Sequence, residues 1–256
     1  MLHDDSNIGS RAELGRIPVG KSIIVAVLKY YARLKLCRKD NILFHALKSQ
    51  NALKRNSNNT LTFTEVAELL LEQLNVKFNP ESCTDTKASI NSFGGKVKRE
   101  CVKIYINQTV MHIKNMKSDP DNKLVIYSCV KDDYKYEPYL DSPHKLRGSL
   151  TRFRLSNHWL PIERGRYTKP KSKRSEHMCP LCRLGIGNEL HALFRCSNTE
   201  LKEFRKYYLN KIFKNNPQCQ RLDDVKQLIL FMKGQDPKIN NYVFEWFNKC
   251  NNIYKA

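Results

Sequence analysis

The chain has 256 residues, of which 41% are hydrophobic, so it can bury one sizeable core or two small ones. Lysine and arginine outnumber aspartate and glutamate by 45 to 25, a net charge of +20. This charge favours a polyanionic partner over a merely soluble basic protein, because lysine and arginine release counterions when they bind phosphates. An anionic membrane would attract the same charge, but no long basic amphipathic helix with exposed aromatic residues is visible.

The cysteines and the N-terminal sequence predict an intracellular protein of the nucleus or cytoplasm. The chain has nine cysteines, an odd number, and its first residues lack the basic and apolar regions of a signal peptide. We therefore expect most thiols to stay reduced. The longest apolar run, 23–28, is far shorter than the roughly 20 residues of a membrane-spanning helix, so we expect no membrane association.

The N-terminal part of the chain predicts helices. Residues 1–10 are polar and are predicted to be loose, whereas apolar spacings of three and four predict helices over 21–36 and 41–54. Thr62 and Glu65 have the spacing of a capping box, which predicts the start of another helix. The apolar stripe predicted for that helix comprises Val66, Leu69, Leu70 and Leu74.

A helical rhythm continues over 87–117, but the two glycines at 94–95 interrupt it. We expect two helices or one bent helix there. The apolar positions of this rhythm are Ile90, Phe93, Val97, Cys101, Ile104 and Met111. The apolar run 123–130 predicts either a strand or a buried helix, and periodicity does not decide between them. Further helices are predicted over 200–213, 222–233 and 239–255, the last of them strongly apolar and part of the core.

A set of metal-ligating residues follows in the second half of the chain. Cys179, Cys182, His191 and Cys196 have the spacing C-x2-C-x8-H-x4-C, which suits one tetrahedral Zn²⁺. His191 and Cys196 lie about 140° apart on a regular helix, so the helix predicted over 188–195 should end near its last residue. Four protein ligands leave no open position, which predicts a structural rather than a catalytic zinc. The alternative is a group of unrelated reduced thiols and a surface histidine.

The segment before these ligands is basic. Between 145 and 174 it has ten lysines and arginines and one acid, Glu163, with four aromatic side chains interleaved. This pattern is typical of nucleic-acid binding, because guanidinium groups grip phosphates and rings stack on unpaired bases. The predicted phosphate contacts are Arg147, Arg152, Arg154, Arg164, Arg166, Lys169, Lys171, Lys173 and Arg174. The alternative is a solvated charged face, and for the aromatic residues, Phe153, His158, Trp159 and Tyr167, we expect core packing.

Two ordered motifs carry a resemblance to a known family. The stretches 150–158 and 160–167, followed by the Cys-Pro-Leu-Cys motif and its downstream histidine and cysteine, resemble the C-terminal zinc-binding region of non-LTR retrotransposon reverse transcriptases. The stretches 13–18 and 29–34 resemble the segment just after the polymerase domain of those proteins. The resemblance implies a role in holding element RNA or target DNA, with a polymerase domain upstream or in trans as a partner.

The catalytic motifs of the related enzymes are missing from this sequence. A reverse transcriptase needs paired aspartates on a hairpin of apolar strands, and none of the pairs at 4–5, 132–133 and 223–224 has that context. A nuclease follows a similar zinc motif in some related elements. Here the 60 residues after Cys196 contain no Pro-Asp with a later Asp/Glu-x-Lys. We therefore expect no enzymatic activity.

The sequence thus predicts a mainly α protein in four segments. These are a loose N-terminus (1–10), a helical region (11–140), a basic segment with a zinc knuckle (141–199) and C-terminal helices (200–256). The predicted function is a non-catalytic, zinc-containing nucleic-acid-binding module. The alternative is a helical protein-interaction module in which zinc staples the fold and the basic surface docks on an acidic protein.

Overall fold

A computed structural model describes residues 5–54, 61–83, 86–119, 122–169 and 173–255. These residues form helices joined by short connections and contain no β-strand, so the predicted mainly α fold is confirmed. Within the described ranges, β pairing is limited to two isolated bridges, Leu14 with Tyr136 and Met178 with Ile186. No helix in this part of the chain combines the length and apolar character that crossing a membrane requires.

The α-helices are numbered in chain order. They are α1 (Asp5–Glu13), α2 (Val19–Lys35), α3 (Ile42–Lys54), α4 (Phe63–Gln73), α5 (Thr86–Met116), α6 (Val125–Val130), α7 (His144–Arg154), α8 (Pro161–Arg164), α9 (Thr199–Asn215), α10 (Pro217–Gln220), α11 (Asp224–Lys233) and α12 (Pro237–Lys255). Short 3₁₀ turns span Pro80–Ser82, Pro138–Asp141, Gly165–Tyr167 and Arg174–Glu176, and a π-helical turn spans His191–Arg195.

The chain divides into two compact units. Ile17–Gln108 forms the small unit, and Met1–Arg16 with Thr109–Ala256 forms the large unit, as far as these ranges are described. This division differs from the predicted segments, because residues 11–16 and 109–140 belong to the large unit. The predicted boundary near residue 140 is absent because the N-terminal helix packs with residues that come more than 100 positions later.

Helices α2, α4 and α5 supply the core of the small unit. Thr62 caps α4 in the predicted capping box, since its backbone N–H donates to the Glu65 carboxylate over 2.8 Å and its hydroxyl accepts from Glu65 N over 3.3 Å. The buried side chains of this core are Leu28, Tyr31, Ala32, Ala67, Leu71, Leu74, Val76, Ile90, Phe93, Val97 and Cys101. The helices predicted over 21–36 and 41–54 are confirmed as α2 and α3.

The apolar stripe predicted for α4 is confirmed for Leu70 and Leu74, which pack in the core, and is wrong for the other two residues. Ala67 and Leu71 are buried, whereas Val66 and Leu69 are exposed. A helix with leucines at three consecutive positions has apolar residues on more than one face, so periodicity alone does not select the buried one. The small Ala67 is fully buried in the core, so α4 packs closely against its neighbours on this face.

Helix α5 is continuous through the predicted interruption. A Cβ atom added to Gly94 would lie 2.7 Å from Lys29 Cδ, so the glycine permits close contact between α5 and α2. Met111, predicted on the apolar side, is exposed, whereas Ile113 and Met116 are buried in the core of the large unit.

The core of the large unit is built around α7 and α12. The Phe153 ring lies 5.5 Å from the rings of both Trp246 and Phe247, and all three side chains are buried. This confirms the predicted burial of α12, and the helices predicted over 200–213 and 222–233 are also present, as α9 and α11. The apolar run 123–130 forms a buried helix, α6, rather than a strand.

The prediction of a loose N-terminus over residues 1–10 is wrong for the described part. Residues 5–13 form α1, in which Ile8 and Ala12 are buried four residues apart. The Tyr127 hydroxyl donates to Gly9 O over 3.2 Å, and Glu13 accepts from a buried arginine of α7. These tertiary contacts explain why so polar a stretch is helical.

Candidate metal site and basic segment

Four predicted ligands converge at one point of the large unit. The ligand atoms of Cys179, Cys182, His191 and Cys196 all lie within 4.8 Å of one another. Cys179 Sγ is 3.8 Å from Cys196 Sγ, and Cys182 Sγ is 3.2 Å from His191 Nε2. The four side chains are therefore placed to hold one metal ion.

A tight turn presents the first two ligands. Cys179 N–H donates to Gly185 O over 2.8 Å, and Arg183 N–H donates to Cys179 O over 2.9 Å. Arg183 has a φ of 55°, the left-handed conformation that closes such a turn. The bridge between Met178 and Ile186 joins the two sides of the turn. These backbone hydrogen bonds thus place the thiols of Cys179 and Cys182 on the same side of the turn.

A π-helical turn presents the other two ligands. The helical stretch ends at Arg195, as predicted, but its last turn is wider than that of a regular α-helix. Cys196 N–H donates to His191 O over 2.7 Å, a bond that spans five residues. Because of this wider turn, the side chains of His191 and Cys196 lie close to the same side of the helical stretch. In a regular helix they would be offset by about 140°.

Two further residues hold the ligands in place. The Asn188 side chain accepts from His191 N–H over 2.9 Å and starts the helical stretch. The buried Arg205 of α9 donates to Ala192 O over 3.4 Å and to Cys196 O. The sequence does not indicate the role of Arg205, because a single arginine in an amphipathic helix has the pattern of a solvent-exposed residue.

Burial and backbone donors shift the pKa values of the ligands. Burial, with the neighbouring Cys179, raises the pKa of the Cys196 thiol to about 12. Burial also opposes ionisation of Cys182, but the N–H groups of Leu184 and Ser197 outweigh it and lower the pKa of that thiol. Burial lowers the pKa of His191, which favours the neutral imidazole that binds metals.

The chain was compared with known proteins at three levels. No family model, curated protein or solved structure matches it.

The stretch 150–167 contacts the stretch that contains the four candidate ligands. His158 Nε2 lies 2.9 Å from the buried Glu189 carboxylate, two residues before the ligand His191. Pro161 packs against Gly187, where an added Cβ would come within 2.6 Å of its ring. The basic segment is thus anchored to the metal site by a buried polar contact and by close backbone packing.

Arg154 is not available as a phosphate contact, which corrects the prediction for this residue. Its side chain is fully buried. Its guanidinium donates to Glu13 over 2.8 Å, to Met232 O over 2.7 Å and lies 3.2 Å from Glu137. The basic segment therefore contains one buried arginine, whose partners lie in α1, in α11 and in the loop after α6.

The other predicted contacts differ in exposure. Arg174 is half-buried, and Arg166 pairs with the buried Glu163 over 2.8 Å. Arg164 donates to Tyr254 O over 2.5 Å, which ties it to α12. Lys171 lies outside the described residues. The exposed members of the set are Arg147, Arg152, Arg164, Lys169 and Lys173.

The aromatic residues of the segment do not all pack in the core. Phe153 is buried, and the His158 side chain is 2% exposed, as expected. Trp159 and Tyr167 are 46% and 75% exposed, so the prediction of core packing is wrong for both. Leu160 takes the buried place next to Trp159, since it is 2% exposed.

Three aspartates of the acidic pairs have structural partners. Asp223 caps α11 by accepting from Lys226 N–H over 2.9 Å, and Asp224 pairs with Arg195 over 2.8 Å. Asp133 pairs with Lys135 over 3.0 Å beside a cavity of about 430 Å³. Asp4 lies outside the described residues.

Proposed function

We propose that this chain is a non-catalytic, zinc-containing module that binds nucleic acid, akin to the C-terminal region of non-LTR retrotransposon reverse transcriptases. The observation that carries the proposal is the convergence of three cysteines and one histidine beside an exposed basic segment. Element RNA or target DNA is the proposed ligand. A polymerase domain upstream or in trans is the proposed protein partner.

Zinc is the ion that this ligand set fits best. Three thiolates and one imidazole are a typical structural zinc set, and Zn–S bonds of about 2.3 Å at tetrahedral angles separate two sulfurs by about 3.8 Å. Cys179 and Cys196 have this sulfur separation. Because four protein ligands fill a tetrahedral site, the ion stabilises the fold and does not activate water.

The basic segment supports nucleic acid as the ligand. Several of its lysines and arginines are exposed, and the His158–Glu189 contact joins the described part of the segment to the candidate metal site. Contacts of this kind position a phosphate backbone without reading its sequence. The exposed rings of Trp159 and Tyr167 add surfaces on which unpaired bases can stack.

The zinc proposal is tested by metal analysis of purified protein. We expect close to one zinc per chain, and we expect Cys179→Ser to lose it because a neutral serine hydroxyl does not replace the thiolate ligand. Cys37→Ser, which changes a thiol just after the C-terminal end of α2 and outside the cluster, is the matched control and should retain the ion. Full zinc retention by Cys179→Ser would contradict the assignment.

The nucleic-acid proposal is tested by titrating the protein with RNA and DNA oligonucleotides of unrelated sequence at several salt concentrations. One variant replaces four exposed basic residues of the segment with alanine: Arg147, Arg152, Lys169 and Lys173. We expect weaker binding to all sequences. We also expect a salt slope that is flatter by about one unit for each phosphate that the variant no longer neutralises.

A charge-matched variant of the small unit is the control. It replaces four exposed basic residues with alanine: Arg33, Lys39, Lys48 and Lys98. An equal loss of affinity in both variants would mean that net charge alone explains binding. If the unmodified protein binds neither RNA nor DNA, the alternative of a zinc-stapled module with a docking surface for an acidic protein takes its place.

A further inference from the structure

A second basic and aromatic site lies outside the segment that the sequence identified. Between α9 and the start of α12, the large unit has a cavity of about 580 Å³. This volume falls within the roughly 300–1,000 Å³ of small-ligand sites. The side chains that matter here are Tyr207, Tyr208, Lys211, Lys214 and Lys238.

Tyr207 gives the cavity an exposed aromatic wall. The residue is 57% exposed even though Tyr208 and Lys211 contact its ring. Lys211 Nζ lies 3.8 Å from the centre of the Tyr207 ring and donates to its hydroxyl over 2.5 Å. These contacts support the ring on one side, and its exposed part still offers a surface to a ligand.

The charge around the cavity is positive. Three lysines line it and, among the described residues, no aspartate or glutamate does. The nearby Asp236 is engaged as the cap of α12, since it accepts from Lys238 N–H over 2.7 Å and from Asn216 Nδ2 over 2.6 Å. Burial and the negative charge of Glu245 raise the pKa of Tyr208, but Glu245 does not line the cavity. The cavity therefore favours an anionic ligand with a flat apolar part.

We propose that this cavity binds one unpaired nucleotide of a single strand, with the base stacked on Tyr207 and the flanking phosphates at Lys211, Lys214 and Lys238. The inference rests on the proposed nucleic-acid-binding function and extends it to single strands. An aromatic ring beside a line of lysines is the combination by which proteins hold unpaired bases without sequence preference.

Helix α9 contacts the candidate metal site with its first turns and lines the cavity further along. Leu201, in the first turn of this helix, packs against Cys179 and Cys196. Arg205, one turn later, donates to the carbonyl groups around the ligand cysteine, and Tyr207 follows two residues further. The metal site thus fixes the helix that presents the tyrosine.

The test compares a fluorescent single strand of about 12 nucleotides, as RNA and as DNA, with a duplex of the same sequence. We expect Tyr207→Ala to weaken single-strand binding by about 5- to 150-fold, the range that stacking of one base supplies, and to leave duplex binding unchanged. Tyr207→Phe keeps the ring and should bind as the unmodified protein does. Lys238→Glu is a second, independent variant and should lower the salt slope for the single strand.

Tyr30→Ala, which removes an exposed tyrosine of the small unit, is the matched control. Equal losses for single strand and duplex in Tyr207→Ala would overturn the stacking role, as would no loss in either Tyr207→Ala or Lys238→Glu. In both cases the proposed function stands if the unmodified protein binds nucleic acid. Absence of any binding by the unmodified protein would overturn both proposals together.

Discussion

At the scale of single residues, the large unit contains a buried network of charges. Arg154 and Lys131 are the cations, and Glu13 and Glu137 are the anions, with contacts of 2.5 to 3.2 Å between them. The Tyr139 hydroxyl donates to Glu13 over 2.5 Å. The network balances two positive against two negative charges, which is the condition under which buried ions are tolerated.

This network predicts that Arg154→Ala is strongly destabilising. The substitution leaves two carboxylates without their common partner, and breaking a buried pair in this way costs about 3–5 kcal/mol. The free energy of unfolding, measured by urea denaturation with the metal present, checks the prediction. Arg152→Ala, in the same helix but exposed, should cost about 1 kcal/mol or less. Similar losses in the two variants would show that the network contributes little.

At the scale of the elements, the helices were predictable from local spacing and the buried faces were less so. Helices α2, α3, α9, α11 and α12 lie where apolar periodicity predicts them. The capping box at Thr62 was predictable because it involves residues three apart in sequence. The buried face of α4 was not predictable, because several faces of this helix are apolar. The face that contains Ala67 is the one that packs against the core.

The metal-binding turn shows the same limit. Its four candidate ligands were predictable, since cysteine and histidine spacing is a local property of the sequence. The π-helical turn that brings His191 and Cys196 together was not predictable, because a widened turn depends on tertiary partners such as Arg205. Sequence spacing therefore identified what could bind the metal, whereas the contacts of α9 explain how the ligands are held.

At the scale of the whole molecule, the division into two units predicts where loss of the metal is felt. The small unit has its own core, formed by α2, α4 and α5, whereas the metal ligands pack against Leu201 in the large unit. Metal-binding energy in a turn without its own apolar core is folding energy of that turn.

Removal of the metal with 1,10-phenanthroline should therefore act locally. We expect faster amide hydrogen exchange over residues 178–196 and in the first turns of α9, and unchanged exchange in α2 and α4. Hydrogen exchange followed by mass spectrometry measures this directly. Chelator added to Cys179→Ser should cause no further change, because that variant has already lost the ion. Equal acceleration in α2 and α4 would contradict the independence of the small unit.

The sequence by itself determined the helical class, the positions of most of the helices and the four residues that could hold a metal ion. Each of these depends on residues within about one turn or loop of one another, so local spacing is enough. The tertiary structure alone decided which arginine is buried, which aromatic rings are exposed and which arginine supports the metal site. Arg154 lies in a basic run, yet its partner Glu13 is 141 residues away in sequence, and no local pattern indicates such a contact. Burial depends on what the rest of the fold places against a side chain, and this is why the basic segment had to be seen in three dimensions.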